Sequence, residues 1–406
     1  MKGLKKIVCL CLLVGFVGLS LAVADEIVAP FGMPSARAGA LGGFHSAYGD
    51  DIDAIFSNPA LFVGIKKQLS VAEVTASIYV PRSVAALEDP AKGKELWNAF
   101  TGFDIATLLN SMKGIAGDEP FAAGLDLAGP LSIGWVGKGL GLGLFNRTTV
   151  DFSLSGLNVI PYISEDVLLT AGYGFRVLNF LGSTLDVGVL AKGFFRGAAN
   201  PTIALTSINS IIDDPTQLGS IKSYLGFGFD VGVRYTFAGF LSAGVVMHDV
   251  YSPVWTQTYT SVTSMFGGDF LSSGWELGGT VKRNLDAGIA VYIPPALRLP
   301  VLSHAAVLVD FHDIIGLFEF LEVIDYTSSS GGIPRNPILN LGIGVEATLF
   351  DLLSLRIGIA DALPSVGLGL NLFIFQLNVS IHGKELGLDP GDHPVFEADI
   401  GLQFRY

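Results

Sequence analysis

FEADIGLQFRY, residues 396–406, carries the decisive pattern. Phe396, Ala398, Ile400, Leu402, Phe404 and Tyr406 are apolar, and between them Glu397, Asp399, Gly401, Gln403 and Arg405 are polar or small. A period of two belongs to a β-strand, whose side chains point alternately to its two faces. Apolar outward, polar inward and an aromatic at the carboxyl end describe one strand of a membrane β-barrel. YLGFGFDVGVRYTF, residues 224–237, repeats the pattern, with Leu225, Phe227, Phe229 and Val233 set against Gly226, Gly228, Asp230, Gly232 and Arg234. Val167, Leu169, Tyr173 and Phe175 alternate in the same way with Asp166, Thr170, Gly172, Gly174 and Arg176. The polar face of a soluble sandwich meets water and carries Lys and Glu, whereas glycines on that face suit a crowded lumen.

Composition agrees. Only 15% of the 406 residues are charged, against about 25% in a typical globular chain, while 50% are hydrophobic and 51 are glycine. Disorder needs the opposite balance, and a formal charge of −13 repels a phosphate backbone, so no nucleic-acid partner is expected. Residues 1–24 read as an export signal: Lys2, Lys5 and Lys6, an apolar core over 7–21, then Ala22-Val23-Ala24. Cys9 and Cys11 both lie within it, so from Asp25 onward no thiol remains for a disulfide, a nucleophile or a thiolate metal site. Beyond the signal every run long enough to cross a bilayer as a helix is interrupted. The longest uncharged one, 362–383, holds Pro364, Asn371, Gln376 and Asn378. An exported, very hydrophobic chain without a spanning helix is expected to be an integral outer-membrane barrel of a diderm bacterium, bathed in outer-membrane lipid and inserted by the barrel-assembly machinery.

The fold class predicted is therefore all-β, a transmembrane antiparallel β-barrel of about fourteen strands. They are placed near 68–80, 129–137, 139–154, 166–178, 184–196, 224–237, 240–250, 284–302, 304–312, 338–349, 352–361, 365–373, 374–382 and 395–406. Pro294-Pro295 interrupts one of them, tolerable only at a bulge or strand end. The apolar phase switches near residue 373, which a tight hairpin or one bulged strand explains. Residues 92–117 space Leu96, Phe100, Phe103, Leu108 and Met112 as an amphipathic helix, and 202–220 and 261–273 are weaker cases. An even strand count puts both termini on the periplasmic side and these helical loops outside.

Ahead of the first strand stands SARAGALGGFHSAYGDDIDAIFSNPAL, residues 35–61: Gly42-Gly43, then Asp50-Asp51, then Asn58-Pro59-Ala60. This resembles the N-terminal plug of the FadL-type long-chain fatty-acid transporters of bacterial outer membranes and their spirochaetal relatives. LRIGI at 355–359 with Leu363-Pro364-Ser365 resembles that family's penultimate hairpin, and Pro294-Pro295 a Pro-bearing strand near its middle. Phe44-His45-Ser46 departs from the smaller residues common after the two glycines. The resemblance implies a plug (hatch) over 25–62 inside a barrel of 63–406. It also implies passive uptake of a hydrophobic small molecule, a long-chain fatty acid, past a plug that shifts or through the wall. Physically, Gly42 and Gly43 permit close passage, Asn58 can satisfy backbone groups, Pro59 fixes the chain where it turns toward the wall, and Asp50 and Asp51 can pair with lumenal cations. A plugged barrel of the PorV type, acting as a secretion-system partner without transport, is the alternative reading.

A fatty-acid carboxylate needs a cation at one end of an apolar cavity. Arg147, Lys192, Arg196 and Arg234 occupy polar strand faces and are the substrate-binding candidates, each also able to pair with Asp151, Asp186, Asp230 or the plug. Leu190 and Phe194 share the face of Lys192 and Arg196, which favours a hydrophobic path over a general porin. No HExxH or GxSxG spacing is present, so no catalytic residue, metal or cofactor is expected. His304, Asp310 and His312 fall in phase on one strand face as a polar cluster.

Overall fold

The computed structural model describes residues 26–66, 68–81, 122–155, 158–204, 219–266, 274–293, 301–324 and 335–405, with isolated positions between 94 and 111. The proposed signal, most of the 92–117 helix, the tips of the 202–220 and 261–273 loops, Pro294-Pro295 and Tyr406 lie outside the described residues.

Fourteen antiparallel strands close into one barrel. In chain order they are β1 Gln68–Pro81, β2 Ala122–Ala128 continuing as Ile133–Gly137, β3 Leu140–Ser155, β4 Asn158–Phe180, β5 Ser183–Ala199, β6 Ile221–Phe237, β7 Leu241–Tyr251 continuing as Pro253–Tyr259, β8 Glu276–Val281 continuing as Asn284–Tyr292, β9 Leu302–Phe311, β10 Leu341–Leu349, β11 Leu353–Ala360, β12 Leu363–Leu372, β13 Phe375–Glu385 and β14 Pro394–Arg405. Each pairs with its chain neighbour, and β14 returns to β1 with Val395 opposite Pro81 and Arg405 opposite Ser70. Closure leaves no open sheet edge, which a lipid environment would penalise.

The alternation read from the sequence is the inside-outside distinction. Leu169 (61% exposed), Tyr173, Ile357 and Ile400 point outward, whereas Asp166, Thr170, Asp230 and Asp399 are buried. An apolar belt of this extent is unfavourable in water at about 25 cal/mol per Å² but suits acyl chains. Phe373 is almost wholly exposed at the tip of a tight β12–β13 hairpin, so the phase switch there is a turn.

Several boundaries differ from the sequence reading: β2 starts at Ala122 instead of 129, β4 at Asn158 instead of 166, and β7 runs to Tyr259 instead of 250. β8 begins at Glu276, ahead of the predicted 284, because Gly278 and Gly279 blur its alternation and Val281 turns inward to pack with Val28 and Phe31. β8 ends at Tyr292 instead of 302, and β9 begins at Leu302 instead of 304. Glu26, the first described residue, stands at the long-loop end of the barrel, opposite the carboxyl end. There Glu26–Val28 runs parallel to Gly279–Val281, and Glu26 reaches Lys222 at 2.6 Å. The chain descends through the lumen from that point before entering β1 at the short-turn end.

Candidate functional site

Residues 29–64 are threaded against the inner face of the wall. Ser35 caps the short helix Ala36–Ala40 by accepting from the Ala38 amide, which sets Arg37 into the lumen. The Arg37 side chain, 9% exposed, meets Asp50 and Asp51 at 2.5 Å, Tyr48 at 2.9 Å and Glu346 of β10 at 3.0 Å. Arg356 of β11 holds the same Glu346 at 2.6 Å, and Tyr48 donates to it as well. Burial alone would depress the Arg37 guanidinium, but the carboxylates of Asp50, Asp51 and Glu346 outweigh it and hold it well above its ordinary value. Burial, reinforced by Asp51, pushes the Asp53 carboxyl up to about 7. A second anchor is Asp310 of β9, which accepts from His45 Nδ1 at 2.8 Å and from the Ser46 amide at 2.7 Å.

Asn58 is the third anchor and is fully buried. Its Nδ2 donates to Ser46 O at 2.7 Å and Val233 O at 3.3 Å, and its Oδ1 accepts from the Ala60 amide at 2.9 Å. Wall glycines make this approach possible. A Cβ on Gly188 would strike the backbone of Pro59 and come within 2.5 Å of Ala60 N. Gly42 and Gly43 take φ values of +83° and +120°, open to glycine and strained for other residues. Gly188→Ala is therefore expected to lift residues 58–60 at about 1–3 kcal/mol of overpacking. Protease attack on 58–66 from the short-turn end should quicken about tenfold while the heat-resistant barrel band stays; wild-type digestion would show that this contact is slack.

Above these anchors lies a cavity of about 330 Å³. Phe31, Phe44, Ile55, Phe56, Leu168 and Leu190 form its apolar side, and Lys192, Asp230, His248, Asp249, Asp286 and His312 its polar side. Below it, beside Arg37, Tyr48 and Asp51, a cleft of about 20 Å³ has room for about one water. Wider openings of about 620 Å³ near Lys222 and Tyr224 and about 660 Å³ near Lys66 and Arg405 lie toward the two ends.

The four candidate cations are all in the lumen and all paired. Arg147 meets Asp126 at 2.8 Å and the Gly32 carbonyl at 3.1 Å. Lys192 lies 2.8 Å from both Asp230 and Asp249, and Arg196 binds Asp166 at 2.6 Å and Ala29 O at 3.2 Å. Arg234 meets Asp186 at 2.9 Å. Only Lys192 lines the cavity. Asp151 takes the Tyr79 hydroxyl at 2.8 Å instead of one of these cations. The partner of Asp50 and Asp51 is Arg37 of the same segment, which then bridges to the wall.

His304, Asp310 and His312 do not cluster: Asp310 holds His45, His304 stacks on Tyr48, and His312 meets Asp286 at 3.2 Å. Arg37, Tyr48 and Glu346 escaped the sequence reading. The available signal was Arg37 itself, a lone cation in SARAGALGG ahead of Asp50-Asp51.

Fold and site together define an outer-membrane-type β-barrel whose lumen is occupied by its own N-terminal residues. No family model and no curated relative matches the chain. Solved structures similar to it include the toluene transporter TbuX of Ralstonia pickettii, at 12% identity and TM-score 0.46 over 95% of this chain and 100% of that one. The CymD monoaromatic hydrocarbon channel is similar at 11% identity and TM-score 0.45, over 93% and 99% of the two chains. A Pseudomonas aeruginosa FadL homologue is similar at 12% identity and TM-score 0.42, over 95% and 99%.

Proposed function

We propose that this protein is a passive outer-membrane channel for small hydrophobic molecules, with residues 25–62 acting as a plug that must move before a molecule passes. The carrying observation is the 330 Å³ cavity, apolar on the side built by Phe31, Phe44 and Phe56, directly above a block whose cleft has room for about one water. A molecule entering from the long-loop end gains burial against those rings and stops there until the segment yields. The cavity favours uncharged molecules over the fatty-acid carboxylate. Lys192 is matched by two carboxylates, and the other basic groups of the lining, His248 and His312, each already face an aspartate. Arg147, Lys192, Arg196 and Arg234 then act as wall and segment anchors.

The closed passage beside Arg37 also fits the alternative, a plugged barrel serving as a secretion partner. Uptake separates the two. Cells carrying the gene should accumulate a labelled long-chain alcohol several-fold faster than cells without it, and faster than the fatty acid of equal length. Equal uptake of every molecule with and without the gene overturns the channel reading; faster uptake of the acid overturns the preference.

A further inference from the structure

We infer that His382, Glu397 and Asp399 form a binding site for one divalent transition-metal ion, set in the barrel wall beneath the N-terminal segment. The inference stands apart from the transport reading. One donor atom from each residue lies within 4.8 Å of the other two, and His382 Nε2 is already 3.1 Å from Asp399 Oδ2. Strand register explains the convergence: His382 of β13 is paired with Glu397 of β14, and Asp399 is two residues along on the same face. Asp399 and His382 face the lumen, because a Cβ on Gly39 of the overlying helix would come 2.6 Å from Asp399 Oδ2 and 2.8 Å from His382 Nε2, and Glu397, two residues from Asp399 on the same strand, shares that face. The segment thus places its smallest residue over His382 and Asp399.

The independent observation comes from the next strand. Ser77 of β1 is paired with Asp399 across the seam where the last strand meets the first. Its hydroxyl is buried without a partner, and so is Asp399 Oδ1. Ser77 is 1% exposed and Asp399 4%. Register sets the two side chains side by side on one face, and their unpartnered oxygens are closed to solvent, which is costly for a carboxylate. A cation that both oxygens ligate removes that cost. Ser380 fixes Asp399 Oδ2 by donating at 2.6 Å, so Oδ1 is the free ligand. Lys384 holds one oxygen of Glu397 at 3.3 Å, and the ion takes the other. One imidazole with two carboxylates and a hydroxyl suits zinc more than calcium, which prefers six or more oxygens. Sequence spacing does not reveal the set, since its ligands meet only through the pairing of three strands.

Zinc is the probe. Protein made without an affinity tag, stripped with chelator and kept in detergent, should bind one equivalent of Zn²⁺ in a calorimetric titration. His382→Gln and Asp399→Asn should each weaken binding at least tenfold with the heat-resistant band unchanged, and His393→Gln should not. Excess Ca²⁺ should fail to displace the zinc. The inference falls if the wild type shows no saturable binding, if His393→Gln weakens it as much as His382→Gln, or if Ca²⁺ competes at equal concentration. Should the variants not fold, the visible spectrum of Co²⁺ bound to the wild type decides: nitrogen donation supports the site, and the spectrum of the hydrated ion overturns it.

Discussion

Arg37→Met is expected to leave a barrel that folds and an N-terminal segment that no longer stays seated. In the wild type two guanidinium groups, Arg37 and Arg356, face the carboxylates of Asp50, Asp51 and Glu346. Without Arg37 the buried Asp51 loses its direct ion-pair partner and the buried Glu346 keeps only Arg356. Removing one partner of a buried ion pair costs about 3–5 kcal/mol, because the group left behind cannot return to water. The wall loses little, since its strands are joined by backbone bonds that Arg37 does not touch. Residues 26–66 should therefore open about a hundredfold or more often, seen as faster cleavage by added protease and as ion conductance in a planar bilayer. Asp50→Asn is the control. The Asp50 side chain is 63% exposed, so its pair is worth about 1 kcal/mol or less. If Arg37→Met digests no faster than Asp50→Asn, the network does not hold the segment.

The wall was legible in the sequence because its environment has two sides and the chain alternates between them. Leu169 and Asp166 meet lipid and lumen, and no tertiary detail changes that assignment. Legibility failed where the environment stops being two-sided. Gly278, Gly279 and Val281 curl toward Val28, so the start of β8 carries no clean period. The turn at Phe373 was legible as a phase switch, because a hairpin restarts the alternation. Among the candidate site residues, Gly42, Gly43 and Asn58 could be assigned physical roles from type and spacing alone. The partners of the four cations could not: which of several aspartates faces Lys192 depends on register between β5, β6 and β7, and Asp249 enters only through the kink that separates the two halves of β7. Arg37 was missed for a related reason. A lone arginine in a small-residue stretch has no periodic partner, and Glu346 lies 309 residues away.

Asn58 gives the sharpest test of whether the segment gates anything. Asn58→Ala removes two donated bonds and one accepted bond, leaving Ser46 O and the Ala60 amide buried without partners at about 1–3 kcal/mol each. Asn58→Asp changes less volume and should nevertheless be worse. It keeps an acceptor for the Ala60 amide, but it sets a carboxylate against the carbonyl oxygens of Ser46 and Val233, where the amide donated. The order of segment release is thus wild type, then alanine, then aspartate, the reverse of what side-chain size alone dictates. Protease digestion reads that order directly, and uptake of the labelled alcohol should follow it. If digestion follows the order and uptake does not, the segment is seated as described but does not control passage. If the aspartate variant digests more slowly than the alanine one, the amide is not what holds residues 58–60. If either variant loses the heat-resistant band, the segment is part of the wall's own stability, and a gate that moves while the barrel stands is excluded.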